Sequence, residues 1–339
     1  MKRYFIIAGM LLLLPTLNSC KNNKPKESAS AVAADNAKEN NLKKLDQLNV
    51  EYPKIPDDKI LENNNPNTPI YTELKGRYKD YMTKLKQSIE ATGAKLVVII
   101  ITPEAGKVST NSNVYGIPFI KSTCSQLGVE CVDMTPAIAT QDLKVITQTP
   151  RDGHWSKKGA IFVANQLAPI IKRYSDAKST VTYKDSERPE TFGDLPPNDD
   201  EVLDGGKDLP YHLKANAQGC RMDHDLKFPK TKQHILFMGG SQIYSPFLDN
   251  EFIATSLLAK QFPNTEIINT GMIASSLDDY LTLFDEKAKY SEPDLVIVQT
   301  NGGDITDMFF SNRNHLSRTH TPHYPSPIEA KYYKDTYNK

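Results

Sequence analysis

Cysteine is scarce in this chain of 339 residues: there are four, and no two form a C-x-x-C pair, which argues against a cysteine zinc site. Tryptophan occurs once, as Trp155. Neither sign of charge is in excess. The 41 Lys and Arg residues balance 41 Asp and Glu, so there is no basic footprint for nucleic acid and no strong field for steering a charged partner. Beyond residue 20 no apolar run is long enough to span a bilayer. His315, His320 and His323 lie in a Pro-containing polar tail that supplies no carboxylate of its own, so they read as solvated surface rather than as a metal site. No metal and no cofactor is expected.

What is present begins with an address. Lys2 and Arg3 form a charged start, and Tyr4 to Pro15 an apolar core of signal-peptide length. Leu17-Asn18-Ser19-Cys20 follows and resembles a bacterial lipobox. That resemblance implies cleavage of residues 1–19, lipidation of Cys20, and an exported lipoprotein on a periplasmic or cell-surface membrane face, the outer membrane first. Cleavage removes Lys2 and Arg3 and leaves 39 basic against 41 acidic residues, a mature charge near −2. Export means an oxidising compartment. Cys124, on a predicted helix, and Cys131, at the start of the next strand, are then candidates for a disulfide. Cys220 is the odd thiol, free and reactive on this reading. Residues 20–69 are rich in Asn, Lys and Ala and read as a flexible tether.

Regular structure is expected from residue 70 to residue 312. Leu74, Tyr78, Tyr81, Met82, Leu85 and Ile89 recur at helical spacing up to Gly93. Leu96–Ile101 is a continuous β-branched run, as expected of a strand buried on both faces. A second unit follows: a helix over Ile117–Leu127 and a short strand over Glu130–Met134. Ala160, Ile161, Ala164, Leu167, Ala168 and Ile171 make another helix. Residues 175–232 are rich in Pro, Asp, Gly and Lys and read as a disordered linker or, as the second reading, a substrate-covering flap. Strands return at Ile235–Met238, Thr265–Asn269 and Leu295–Val298, with helices through Leu257 and through Leu277–Ala288 between them. Residues 313–339 form a polar C-terminal tail. Helices alternating with buried strands predict an α/β three-layer sandwich around a central parallel sheet.

Two features carry chemistry. Asp152-Gly153-His154-Trp155 opens a helix and sets a carboxylate two residues from an imidazole, the spacing of an orienter and a base. The same residues also suit a plain Asp-Gly turn with a packed His. The other feature is the set of strand ends. Gly239-Gly240-Ser241, Thr270-Gly271 and Asn301-Gly302-Gly303-Asp304 each follow a predicted strand, where open α/β sheets bind ligands. Ser241 is the candidate nucleophile, and Gly240, Gly271 and Asn301 are candidate oxyanion contributors. Trp155 is placed either to stack on a sugar ring or to brace His154.

Ser, Gly and Asn on successive strand ends resemble the first three blocks of the SGNH hydrolases, whose fold is flavodoxin-like. An Asp-x-His-Trp stretch placed before the Ser resembles the permuted SGNH-like domain of the alginate O-acetyltransferase (AlgJ/AlgX-like) proteins. The match runs from about residue 72 to residue 310. It implies Ser241 as nucleophile, His154 as base and Asp152 as orienter. It also implies a serine O-acetyltransferase acting on an exported or cell-surface polysaccharide, with a membrane O-acyltransferase as acyl donor. Two departures stand out. Gly-Gly-Ser-Gln lacks the usual Asp before Ser241, and an ungapped match through Asp304 puts Gly303, not Asn301, in the family's Asn position. A carbohydrate esterase that removes acetyl from a glycan would use the same triad. A catalytically silent glycan-binding lipoprotein is the reading from another class.

Overall fold

Thr68 starts the described chain, its hydroxyl accepting the Tyr71 amide at 3.3 Å as the cap of helix α1 (Pro69–Ala91). The computed structural model describes residues 68–102, 111–204 and 208–308. The lipobox with Cys20, the tether and the C-terminal tail lie outside them. Helix α1 ends at Thr92, and Gly93 turns the chain with φ of 81°. Strand β1 (Lys95–Ile100), helix α2 (Asn111–Leu127) and strand β2 (Glu130–Asp133) follow. Two short helices, α3 (Thr135–Ala139) and α4 (Leu143–Ile146), precede helix α5 (Lys157–Arg173). A hairpin, β3 (Asp200–Asp204) with β4 (Pro210–Lys214), stands apart from the main sheet. The second half holds β5 (Gln233–Met238), α6 (Ser241–Tyr244), α7 (Ala254–Gln261), β6 (Thr265–Asn269), α8 (Leu277–Glu286), β7 (Leu295–Thr300) and α9 (Asp304–Asp307).

The main sheet is parallel throughout, in the order β2-β1-β7-β5-β6. Counted from β5, that order is the doubly wound 2-1-3-4-5 arrangement, with the chain entering at its fourth strand. The sequence therefore follows a permuted path through a flavodoxin-like sheet. Alternate residues of each strand serve opposite faces. Val97, Ile99, Ile235, Phe237, Leu295 and Ile297 pack with Ala160, Val163, Ala164 and Leu167 of α5 and Leu258 of α7. Helix α1 packs against β1 and α8, and its Tyr78, Met82, Leu85 and Ile89 are fully buried. Every residue of β7 is buried, which is why its Leu295–Val298 stretch reads as an uninterrupted apolar run. Each such Val, Leu or Ile contributes about 1.5–3 kcal/mol on burial.

Residues 175–232 correct the sequence reading. Their described part is not a disordered linker but is anchored at both ends of the sheet. At the amino edge, Lys230 Nζ lies 2.6 Å from the buried Asp294 carboxylate, and Arg188 Nη2 lies 2.8 Å from buried Glu292. Paired charges leave no apolar periodicity to detect. Further along, Phe192, Cys220, Arg221, Met222 and Leu226 are buried. Cys220 is free, but burial pushes its thiol up to about 12, so it is not the reactive thiolate expected from an odd cysteine.

The expected Cys124–Cys131 bridge is also absent, and both residues are free thiols. They do meet: the Cys124 thiol donates to Cys131, which holds Cys124 protonated and lowers Cys131.

Candidate active site

The chain between α4 and α5 doubles back on itself. Gln148 N donates to His154 O at 2.8 Å, Ser156 N donates to Ile146 O at 3.0 Å, and Thr147 pairs with Trp155 in an antiparallel bridge. Ser156 then caps α5, its hydroxyl accepting Gly159 N at 3.1 Å and donating to Val145 O at 2.7 Å. Gly159 is needed there, because an added Cβ would lie 1.9 Å from Ile146 O. This closed loop holds Asp152 and His154 at its tip.

Asp152 Oδ1 accepts the His154 backbone N–H at 2.8 Å and also meets ring Nδ1 of the same residue. A carboxylate facing Nδ1 favours the proton there, and in the neutral ring Nε2 keeps its lone pair for another partner. The Asp152 side chain is 8% exposed and that of His154 25%, so the anchor is buried while the ring reaches solvent.

Ser241 begins α6, directly after β5, and is half-buried. Gly240 N donates to Gln299 Oε1 at 3.1 Å, and a Cβ on Gly239 would lie 2.8 Å from Gln299 Cβ. Gln299 thus ties the end of β5 to the end of β7. That junction is the switch point of the doubly wound order, where such sheets open a crevice. Among the described residues, Ser241 Oγ makes no hydrogen bond, and none joins it to His154. The backbone N–H groups of Ser241 and Gln242, on the first turn of α6, also bond to none of the described residues.

The two halves meet through Phe247. Its ring lies 5.9 Å from the His154 ring, edge to face at 61°, and it belongs to the loop that leaves α6. Tyr211 of β4 lies 5.9 Å from the same ring, and Tyr211 Oη lies 3.3 Å from Tyr244 Oη. Arg151 Nη1 donates to Asp208 O at 3.1 Å, so the β3–β4 hairpin also reaches the tip that carries Asp152 and His154.

The other predicted residues are engaged elsewhere. Gly271 N donates to Asn269 Oδ1 at 2.9 Å, and a Cβ there would lie 2.4 Å from Tyr244 N. The glycine thus lets the end of β6 touch the turn of Ser241. Asn301 Oδ1 accepts Gly303 N at 2.7 Å while its amide nitrogen meets Asp304, so the side chain shapes the entry to α9. For Trp155 the structure separates the two alternatives. The side chain is 0% exposed within the core cluster of α5, so it braces the fold and cannot stack on a sugar.

Sequence reasoning missed Gln299, Phe247 and Arg221. Gln299 had a signal: it directly follows the apolar run Leu295–Val298 within one buried strand, and a buried amide needs a stated partner. Phe247 and Arg221 had none, because their placement depends on folding the 175–232 stretch. Among the described residues no group of three or more His, Cys, Asp or Glu is arranged to hold a metal ion.

No family profile matches the chain, and no curated protein matches it. Two solved structures are similar to it at low identity. One is the O-acetyltransferase domain of AlgJ from Pseudomonas putida: 15% identity, TM-score 0.41, covering 79% of this chain and 92% of that one. The other is AlgX from Pseudomonas aeruginosa: 15% identity, TM-score 0.41, covering 69% of this chain and 59% of that one.

Proposed function

We propose that this chain is a serine O-acyltransferase that moves an acetyl group to a hydroxyl of an exported or cell-surface polysaccharide. The observation that carries the reading is the Asp152–His154 pair, which leaves Nε2 available beside the loop of Ser241. In the proposed reaction His154 Nε2 takes the proton of Ser241 Oγ as the oxygen attacks the acyl carbonyl. The tetrahedral oxyanion is held by the N–H groups at the start of α6, those of Ser241 and Gln242. His154 then protonates the leaving group, and the acetyl ester stays on Ser241 until a sugar hydroxyl, deprotonated by the same ring, attacks it. Asp152 holds the ring and stabilises the imidazolium. A membrane O-acyltransferase is the proposed acyl donor, and Cys20 the proposed lipid anchor.

The test uses an activated acetyl ester. Wild-type protein should accumulate acetyl on Ser241, and a glycan acceptor should discharge it faster than water does. Discharge by water alone would make the enzyme an esterase, with the acetylated glycan as substrate. One observation favours the silent, glycan-binding reading: Ser241 Oγ is not hydrogen-bonded to His154 in this structure. Catalytic contacts of this kind are often loose before substrate binds. Failure of wild-type protein to take up acetyl would support the silent reading.

A further inference from the structure

We propose that Arg221 is a positioning residue for His154, acting through the loop after α6 and the ring of Phe247. The inference rests on the proposed role of His154 as base. Arg221 is 1% exposed, and among the described residues its guanidinium forms no ion pair, although the charges of Asp249 and Asp223 act on it. It is enclosed instead by one loop. Nε donates to Asn250 Oδ1 at 3.0 Å, Nη1 donates to Ser245 O at 2.8 Å and to Tyr244 O, and Nη2 donates to Leu248 O. The rings of Tyr244 and Tyr211 lie 4.9 and 5.5 Å from the guanidinium carbon. Arg221 N donates to Asn269 O at 2.9 Å, which fixes the residue to the end of β6.

This arrangement answers a specific problem. Within three residues the loop holds Ser245 at φ of 59° and Phe247 at φ of 66°, left-handed conformations that non-glycine residues adopt at a cost. Such a path turns the carbonyls of Tyr244, Ser245 and Leu248 toward one another. A planar cation with five forked donors satisfies them together, where a lysine ammonium would act as a point charge. The outcome is a fixed Phe247, and the Phe247 ring lies edge to face with the His154 imidazole. Asp152 fixes one edge of that imidazole and Phe247 limits its tilt, so together they aim Nε2. A buried charge is expensive, and a loop needing only packing would be served by an apolar side chain.

The experiment follows the His154 ring in the full chain labelled at histidine, its signal assigned by loss in His154→Asn. Phe247→Leu removes the ring and should shift the His154 ring resonances. Arg221→Lys should move the same resonances in the same direction. Both should lower acetyl-ester kcat by roughly ten- to a hundredfold, with KM changing far less. A merely structural Arg221 would reduce the amount of folded protein and leave the His154 signals of the folded fraction at their wild-type positions. Wild-type resonances and kcat in folded Arg221→Lys would overturn the proposal. If Arg221→Lys does not fold, Phe247→Leu decides, and wild-type resonances and kcat there would overturn it equally. The resonance test needs no turnover, so a failed acyl-enzyme reading leaves this coupling standing or falling by itself.

Discussion

Asp152 Oδ1 holds both the backbone N–H and the ring Nδ1 of His154, so one carboxylate oxygen sets the residue's main chain and its imidazole together. Asp152→Asn keeps an acceptor for the N–H but can offer an amide to Nδ1, which reverses the tautomer. Turnover of an acetyl ester should fall by as much as about 10⁴-fold. Stability should change by only about 1 kcal/mol. Loss of folding in place of loss of turnover would show that the pair serves the turn rather than the chemistry.

Gly271→Ala tests the contact between the end of β6 and the Ser241 turn. An added Cβ would lie 2.4 Å from Tyr244 N and 2.9 Å from Ile243 C, both backbone atoms with little room to move. Thermal denaturation should show a loss of about 1–3 kcal/mol. An unchanged midpoint would mean the close approach is not maintained in solution.

The thiols make a separate prediction. Cys124 and Cys220 are buried and protonated, and Cys131 is half-buried against Cys124. Under native, non-reducing conditions a thiol reagent should reach Cys131, the partly exposed thiol whose pKa Cys124 lowers, well before the other two. After unfolding, all three thiols should react. A single reactive thiol after unfolding would restore the Cys124–Cys131 bridge expected from the sequence.

Stability should also depend on pH through His234. Its ring is buried, Nδ1 donates to Ser291 O at 2.6 Å, and burial lowers its pKa below 6.5. The unfolded chain therefore binds a proton here before the folded one does. The contribution is full above pH 6.5 and is lost as pH falls toward the folded value. His234→Gln keeps a donor and removes the titration, so denaturant unfolding between about pH 7 and 5 should show a flatter pH dependence. An unchanged slope would contradict the assignment.

The sheet was legible in the sequence because both its faces are covered. Leu96–Ile101 and Leu295–Val298 read as buried strands for the reason that they are buried, and Thr265–Asn269 matches β6 end to end. The Asp-Gly-His-Trp turn was legible because Ser156 and the amphipathic α5 follow it at once. Hairpin β3–β4 was not, since most of Asp200–Asp204 is exposed and acidic and shows no alternation. The 175–232 stretch was misread for a related reason: Arg188, Lys230 and Arg221 tie it down, and polar anchoring leaves no period. The strand order needed three dimensions, because the sequence cannot say that β7 lies between β1 and β5.

The central claim is that Ser241 carries the acyl group. Intact-mass measurement after brief exposure to an activated acetyl ester tests it directly, comparing wild type with Ser241→Ala and His154→Ala. The account predicts one added acetyl group on wild type, located to Ser241 by fragmentation. It predicts none on Ser241→Ala and a nearly complete loss on His154→Ala. Equal acetylation of wild type and Ser241→Ala, or none on either, would contradict it.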